Sequence, residues 1–442
     1  MTCTEAPQPA HRSTAQTVAT RCWGCRLAPV GCSKYRVTAR RIPRWDELAP
    51  ILRPRPARLD PVERRLAGVA SIPDLRRAAR RRAPRAVFDY TDGAAGTERA
   101  LARMRDCFDR VEWRPTVLQD VSEVDPSTSI LGRPAGLPLV FAPTGFTRMM
   151  HTEGEPAVGR VAGRTGIPYA LSTMGTTSVE RLAAEAPGTR LWFQLYLWRD
   201  RGAGRDFVQR AREAGYEALV LTVDAPVPGT RLRDVRNGLT IPPSLSLRTF
   251  LDAATRPLWW WDLLTTEPLE FASLERFDGT VAELARRMFD PGATIADVEW
   301  LRSAWPGPLV VKGLQRAEDA AEVVDAGADA VVISNHGGRQ LDRAPVPLEQ
   351  LPAVLDAVGD RAEVYLDGGI LSGDDVVAAV ALGARACMVG RAYLYGLMAG
   401  GERGVQKAAD ILAAEIRTTM ALLGARSVSG LTPDRVVLRR TG

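Results

Sequence analysis

His336 and Arg339 stand three residues apart in the run Ser334-Asn335-His336-Gly337-Gly338-Arg339-Gln340-Leu341-Asp342. An imidazole exchanges protons near neutrality, and a guanidinium is a permanent forked partner for carboxylate. Together they suit proton-coupled chemistry on a small acid. The preceding Ala330-Val331-Val332-Ile333 is short, apolar and β-branched, as expected of a buried parallel strand. Gly337 and Gly338 let the chain turn sharply, so that both polar side chains can face one pocket. Taken alone, such a pair reads first as a polar turn at a strand end; the rest of the chain overturns that reading.

Three of the 58 basic residues are lysines: Lys34, Lys312 and Lys407. A lysine within the apolar Leu309-Val310-Val311-Lys312-Gly313, in a chain that otherwise chooses arginine, points to a compact charge at a strand end.

These residues need a frame. From Leu137 onward strands and helices alternate, with strands expected over 137–143, 168–173, 190–197, 218–223, 309–312, 330–334, 363–367 and 386–389. Helical patterns such as Ala317 to Asp325 and Asp374 to Leu382 lie between them. Eight strands alternating with helices predict an α/β fold, a (β/α)8 TIM barrel. The strand ends of such a barrel share one mouth, so their polar residues are read together. Strand 1 ends in Pro143-Thr144-Gly145, strand 2 in Ser172, strand 3 in Gln194-Leu195-Tyr196 and strand 4 in Thr222-Val223-Asp224. Strand 5 ends at Lys312, strand 6 at Ser334-Asn335-His336, strand 7 at Asp367-Gly368-Gly369 and strand 8 at Gly390-Arg391. Glycines after strands 7 and 8, with Arg391 and a following helix, suit a phosphate. Ser172, Gln194 and Thr222 suit the edge of a flat heteroaromatic ring, and Lys312 suits negative charge developing on it.

The chain has 442 residues, 45% hydrophobic and 25% charged, which allows one large barrel or two smaller domains. Its net charge of +6 comes from the front, where Arg40, Arg41 and Arg44 precede Arg76, Arg77, Arg80, Arg81, Arg82 and Arg85. The remainder is mildly acidic and carries no nucleic-acid-binding motif, so no nucleic-acid partner is expected. Residues 1–37 read as a disordered extension. Their Cys22-x-x-Cys25 with Cys32 lacks a second pair or a histidine at metal spacing, so no metal site is expected. The sparse body cysteines, Cys107 and Cys387, suit a reducing cytoplasm, and no run has the length of a membrane span or a signal peptide.

Residues 38–136 read as an N-terminal wrap and helical segment, with a helix start at Ser71-Ile72-Pro73-Asp74. Tyr90, just before Gly93, belongs to pocket or core. The barrel is expected over 137–430, broken after strand 4 by an insertion at 225–294 that is too long for an ordinary βα loop. There Trp259-Trp260-Trp261, flanked by leucines, reads either as a packed cap or as a patch on lipid headgroups at the inner face of the cell membrane.

From about Ile72 to Gly424 the sequence resembles the FMN-dependent α-hydroxy-acid dehydrogenase/oxidase family, through SNHGGRQLD, FQLY, TVD and the DGG and GR pairs. APTG at 142–145 and the run Gly390 to Leu397 look most like its bacterial respiratory L-lactate dehydrogenase branch. The resemblance implies FMN as cofactor, a small 2-hydroxy acid as substrate, a quinone or cytochrome as electron acceptor, and a homo-oligomer. By position it makes His336 the base and Asp224 its partner. Arg339, Arg231 and Tyr90 become contacts to the substrate carboxylate, and Tyr196 a hydrogen bond to the substrate oxygen. Lys312 would sit by the N1/C2 region of the flavin, favouring its reduced anion. Pro143, Thr144, Gly145, Ser172, Gln194, Thr222 and Ser334 would line the flavin, and Asp367, Gly368, Gly369, Gly390 and Arg391 would hold the ribityl phosphate.

Two positions depart from the family pattern. Leu371 stands where the family usually has a phosphate-binding Arg, which leaves that task to Arg391 and backbone amides. Ala392 stands where oxidases generally carry Pro, favouring a dehydrogenase. The expected activity is oxidation of L-lactate to pyruvate, with electrons passing to a quinone or cytochrome. The rivals are an oxidase making hydrogen peroxide and a flavin enzyme acting on a larger substrate. Small Gly145 and adaptable Met174 leave longer or branched acids open.

Overall fold

The computed structural model describes residues 41–52, 59–238, 254–269 and 289–439. The chain divides into two compact units, 1–57 and 58–442. In the first, the described residues form a short helix, Trp45–Leu48. The extension at 1–37, with Cys22, Cys25 and Cys32, lies outside the described residues, as does much of the insertion.

In the second unit eight parallel strands close into a barrel: β1 Leu139–Phe141, β2 Tyr169–Ser172, β3 Leu191–Tyr196, β4 Ala218–Thr222, β5 Leu309–Leu314, β6 Ala330–Ile333, β7 Glu363–Asp367 and β8 Ala386–Val389. Each pairs with the next, and β8 pairs with β1. The last two strands have the extents the pattern predicts, whereas β1 is cut to three residues because Pro138 and Pro143 bound it. β5 runs on past Lys312, with an irregularity between Lys312 and Leu314 where it pairs with β6. Lys312 is therefore a buried position within a strand and not its terminus.

Side-chain parity explains why the mouth is polar. Alternate residues of a strand point to opposite faces, and those pointing inward here start apolar and end polar. Trp192 precedes Gln194 and Tyr196 on one face of β3, and Ala218 and Val220 precede Thr222 on β4. Val310 precedes Lys312, Val332 precedes Ser334, and Tyr365 precedes Asp367. The apolar inward residues form one core with Ile130 and Ala135, from the hairpin Thr128–Ile130/Arg133–Ala135 at the N-terminal end. The opposite parity packs against the outer helices in a second, larger core.

Five helices position the site: α1 Ile72–Arg82, α2 Arg85–Asp92, α3 Arg99–Phe108, α4 Pro257–Leu264 and α5 Arg391–Leu423. α1 starts at the Ser71-Ile72-Pro73-Asp74 signal, with Ser71 and Asp74 forming a capping box. α5 is bent at Gly400 and Gly401. Among the described residues, no helix is long and apolar enough to cross a membrane.

The tryptophan run divides within α4. Trp259 is 7% exposed and its Nε1 donates to Met149 O at 3.3 Å, while Trp260 is half-buried. Trp261 is 69% exposed, and Leu258 and Leu264 are 62% and 75% exposed. A salt bridge from buried Arg82 to Asp262, 2.6 Å long, fixes the helix.

Candidate active site

A cavity of about 300 Å³ opens at the mouth. His336, Gly337 and Gly338 all adopt left-handed backbone, with φ of +58°, +63° and +76°. For a histidine that conformation costs about 1–2 kcal/mol, which the surrounding contacts must offset. The glycines are required. A Cβ at 337 would lie 2.8 Å from an Arg391 nitrogen, and one at 338 would lie 3.1 Å from the Leu101 amide. His336 N–H donates to Ser334 Oγ (3.0 Å), and its Nδ1 is 2.9 Å from Asp224 Oδ1.

Asp224 is buried behind the imidazole and does not line the cavity. Burial alone would raise its carboxyl, but His336, with Lys312 further off, brings it below the ordinary value. Its Oδ2 has no hydrogen-bond partner among the described residues. Room for it comes from Gly313 at the β5 irregularity, φ +112°, where a Cβ would lie 2.6 Å from Asp224 Cγ. Gly313 thus positions Asp224, a role that its residue type alone does not display. Its signal was the glycine next to the singular Lys312.

At one side the guanidinium carbons of Arg231 and Arg339 lie 5.1 and 5.0 Å from the centroid of the Tyr90 ring. Tyr90 is thus a pocket residue, at the end of α2. Arg339 donates to Tyr90 O (2.6 Å) and Gly93 O (3.1 Å), and Arg231 pairs with Asp234 at 2.9 Å. Burial, with Arg231 and Arg391 adding like charge and Tyr90 opposing, lowers the Arg339 guanidinium to about 10. It remains cationic at neutral pH, in a place that favours an arriving anion. Tyr196 meets Phe289 edge-on at 5.1 Å; burial, then the nearby Asp224, pushes its phenol up, so it stays a donor.

Asp92, the last residue of α2, lies between Thr91 and Gly93, whose carbonyls accept from Arg391 and Arg339. Its buried carboxylate accepts from Arg76, from Tyr395 OH (2.8 Å) and from Arg233 (2.9 Å). Burial opposes its charge, but these partners bring it down to about 2.

The other side of the cavity is lined by Pro143, Thr144, Gly145, Ser172, Gln194 and Thr222. Ser172 Oγ donates to Gln194 Oε1 (3.0 Å), while buried Gln194 Nε2 has no partner among the described residues. Lys312 Nζ lies 2.5 Å from Asp367 Oδ2 and 2.9 Å from Ser334 Oγ. Ser334 is buried and does not line the cavity; its hydroxyl is taken up by Lys312, Asp367 and the His336 amide. Gly145 and Met174 both line the cavity in close contact, and a Cβ at 145 would lie 2.7 Å from Met174 Cβ. Gly368, Gly369, Gly390 and Arg391 line the cavity, with Arg391 donating to Thr91 O, Gly337 O and Gly93 O.

A closed parallel barrel whose mouth gathers an imidazole backed by a carboxylate, two guanidiniums against one tyrosine ring and a buried amide with a free donor has the chemistry of a flavin-dependent oxidoreductase of small hydroxy acids. Residues 79–438 match the family model described as FMN-dependent dehydrogenase, and the chain belongs to that family, the FMN-dependent α-hydroxy-acid oxidoreductases. It is 54% identical over 404 residues to a Mycobacterium tuberculosis protein provisionally named an L-lactate dehydrogenase, covering 91% of this chain and 98% of that one. It is 46% identical over 370 residues to a Caulobacter vibrioides L-lactate dehydrogenase, covering 82% and 96%. The structure of (S)-mandelate dehydrogenase, described as a monotopic membrane protein, superposes with a TM-score of 0.81 at 37% identity, covering 84% of this chain and 100% of that one. FMN is the family's cofactor, and the cavity fits it. Gln194 Nε2 is a buried donor that a ring acceptor would satisfy, Lys312 would supply positive charge, and Gly368 and Gly369 present main chain to the cavity.

Proposed function

We propose that this enzyme oxidises a small L-2-hydroxy acid, L-lactate to pyruvate, and passes the electrons to a quinone or cytochrome. The observation that carries the reading is the shared cavity of His336, backed by Asp224, with Arg231 and Arg339 against Tyr90. A carboxylate entering between the guanidiniums finds bidentate donors already partly withdrawn from water, with Tyr90 completing its contacts. That contact orients the hydroxyl carbon, and Tyr196 donates to the substrate oxygen.

His336 takes up a proton from the substrate at Nε2, because Nδ1 is engaged by Asp224, and the Asp224 anion stabilises the imidazolium that results. Bound FMN supplies the two-electron acceptor. Lys312 offsets negative charge arriving next to it. Thr144, Gly145, Ser172, Gln194 and Thr222 hold the ring. Asp367, Gly368, Gly369, Gly390 and Arg391 bound the end that receives the ribityl phosphate.

The names of the two relatives support lactate, and the paired guanidiniums favour a small carboxylate over a large substrate. The outward apolar face of α4 supports a peripheral position on the inner face of the cell membrane, where a quinone is at hand. The mandelate enzyme's description as monotopic is consistent with this. Oxygen uptake tests the acceptor. Reduction of a quinone analogue by L-lactate without oxygen consumption is expected, whereas fast uptake with lactate alone would make the protein an oxidase.

A further inference from the structure

Arg105 of α3 lines the cavity at the end bounded by Gly368, Gly369, Ile370 and Leu371. α3 is pressed onto that turn. A Cβ at Gly368 would lie 2.8 Å from Met104 Sδ, and one at Gly369 would lie 3.0 Å from Met104 Cβ. The guanidinium is fixed through one nitrogen. NH1 donates to Gly369 O and to Asp375 Oδ2 (2.7 Å), and the group lies 5.5 Å from the centroid of the Phe108 ring. Nε and NH2 make no hydrogen bond among the described residues, and the side chain is 32% exposed. Arg391 is differently placed, since all three of its nitrogens donate to main-chain carbonyls. Leu371, on the same stretch of wall, brings no charge.

We infer that Arg105 is the side chain that grips the FMN phosphate, reaching it from a helix outside the barrel. The inference rests on the cofactor reading above. Its physical basis is an arginine with one nitrogen anchored and a donor edge uncommitted, the form that binds a phosphate at low entropic cost. Asp375 explains the anchoring. This carboxylate also accepts the Leu371 N–H at 2.8 Å, and a cation between it and the phosphate keeps two anions from facing each other.

The test titrates flavin-free protein with FMN and with riboflavin, following the flavin fluorescence. Arg105→Leu is expected to raise the FMN dissociation constant roughly 10- to 100-fold while leaving riboflavin unchanged. Adding Leu371→Arg to that variant is expected to recover most of the loss. Arg105→Lys, which retains the ion pair with Asp375, is expected to lose part of the FMN affinity and none for riboflavin; it carries the test if the leucine variant does not fold. Equal weakening for both flavins would make Arg105 a strut between α3 and Asp375 and overturn the inference, as would unchanged FMN binding in both variants. Wild-type protein that binds neither flavin would refute the cofactor reading itself.

Discussion

Asp224 Oδ1 lies 2.9 Å from His336 Nδ1, from behind the imidazole and out of the cavity, which leaves Nε2 as the nitrogen available to substrate. Asp224→Asn keeps the shape but removes the charge that stabilises the imidazolium. The rate of flavin reduction by substrate is expected to fall by about 100-fold or more, with FMN still bound. Gly313→Ala should produce a similar loss, because its Cβ would displace the Asp224 carboxyl. Stopped-flow reduction checks both, and wild-type rates in either variant would contradict the arrangement.

Asp92 sits between the carbonyls that hold Arg339 and Arg391, and its charge makes the fold acid-sensitive there. Its carboxyl is depressed from 3.8 to about 2 in the folded protein, so its contribution to stability is complete above about pH 4 and disappears as the pH falls through the folded value. The shift corresponds to about 2 kcal/mol. Asp92→Asn is expected to be less stable than wild type at pH 7, with the difference shrinking toward pH 2. Urea unfolding across that range measures it, and a pH-independent difference would show that the charge is not what matters.

The barrel and its mouth were legible because strand parity is local. Once Val310-x-Lys312 and Val332-x-Ser334 are read as inward faces, their polar ends converge whatever the helices do. Asp92, Gly313 and the close contact of Gly145 with Met174 were not legible. Each depends on a partner distant in the chain or on a backbone angle, and single residues do not display either. The same holds for Asp224 and Ser334. Only packing decides that they stand behind His336 and Lys312.

The tryptophan run shows the limit in another way. Three consecutive indoles look alike in sequence, but a helix turns each to a different face, and Trp261 is the one left outside with Leu258 and Leu264. Trp261→Ala is expected to weaken binding to liposomes containing anionic phospholipid by about tenfold, without loss of lactate-dependent flavin reduction. Sedimentation with the vesicles reads the result. Equal binding by wild type and variant would argue that the exposed face of α4 does not meet lipid.

Anaerobic mixing of the yellow protein with L-lactate tests the central claim most directly. Wild-type visible flavin absorbance is expected to bleach, while His336→Ala keeps its FMN and its colour and is reduced at least about 100-fold more slowly. An unchanged wild-type spectrum, or a His336→Ala protein bleached at the wild-type rate, would contradict it.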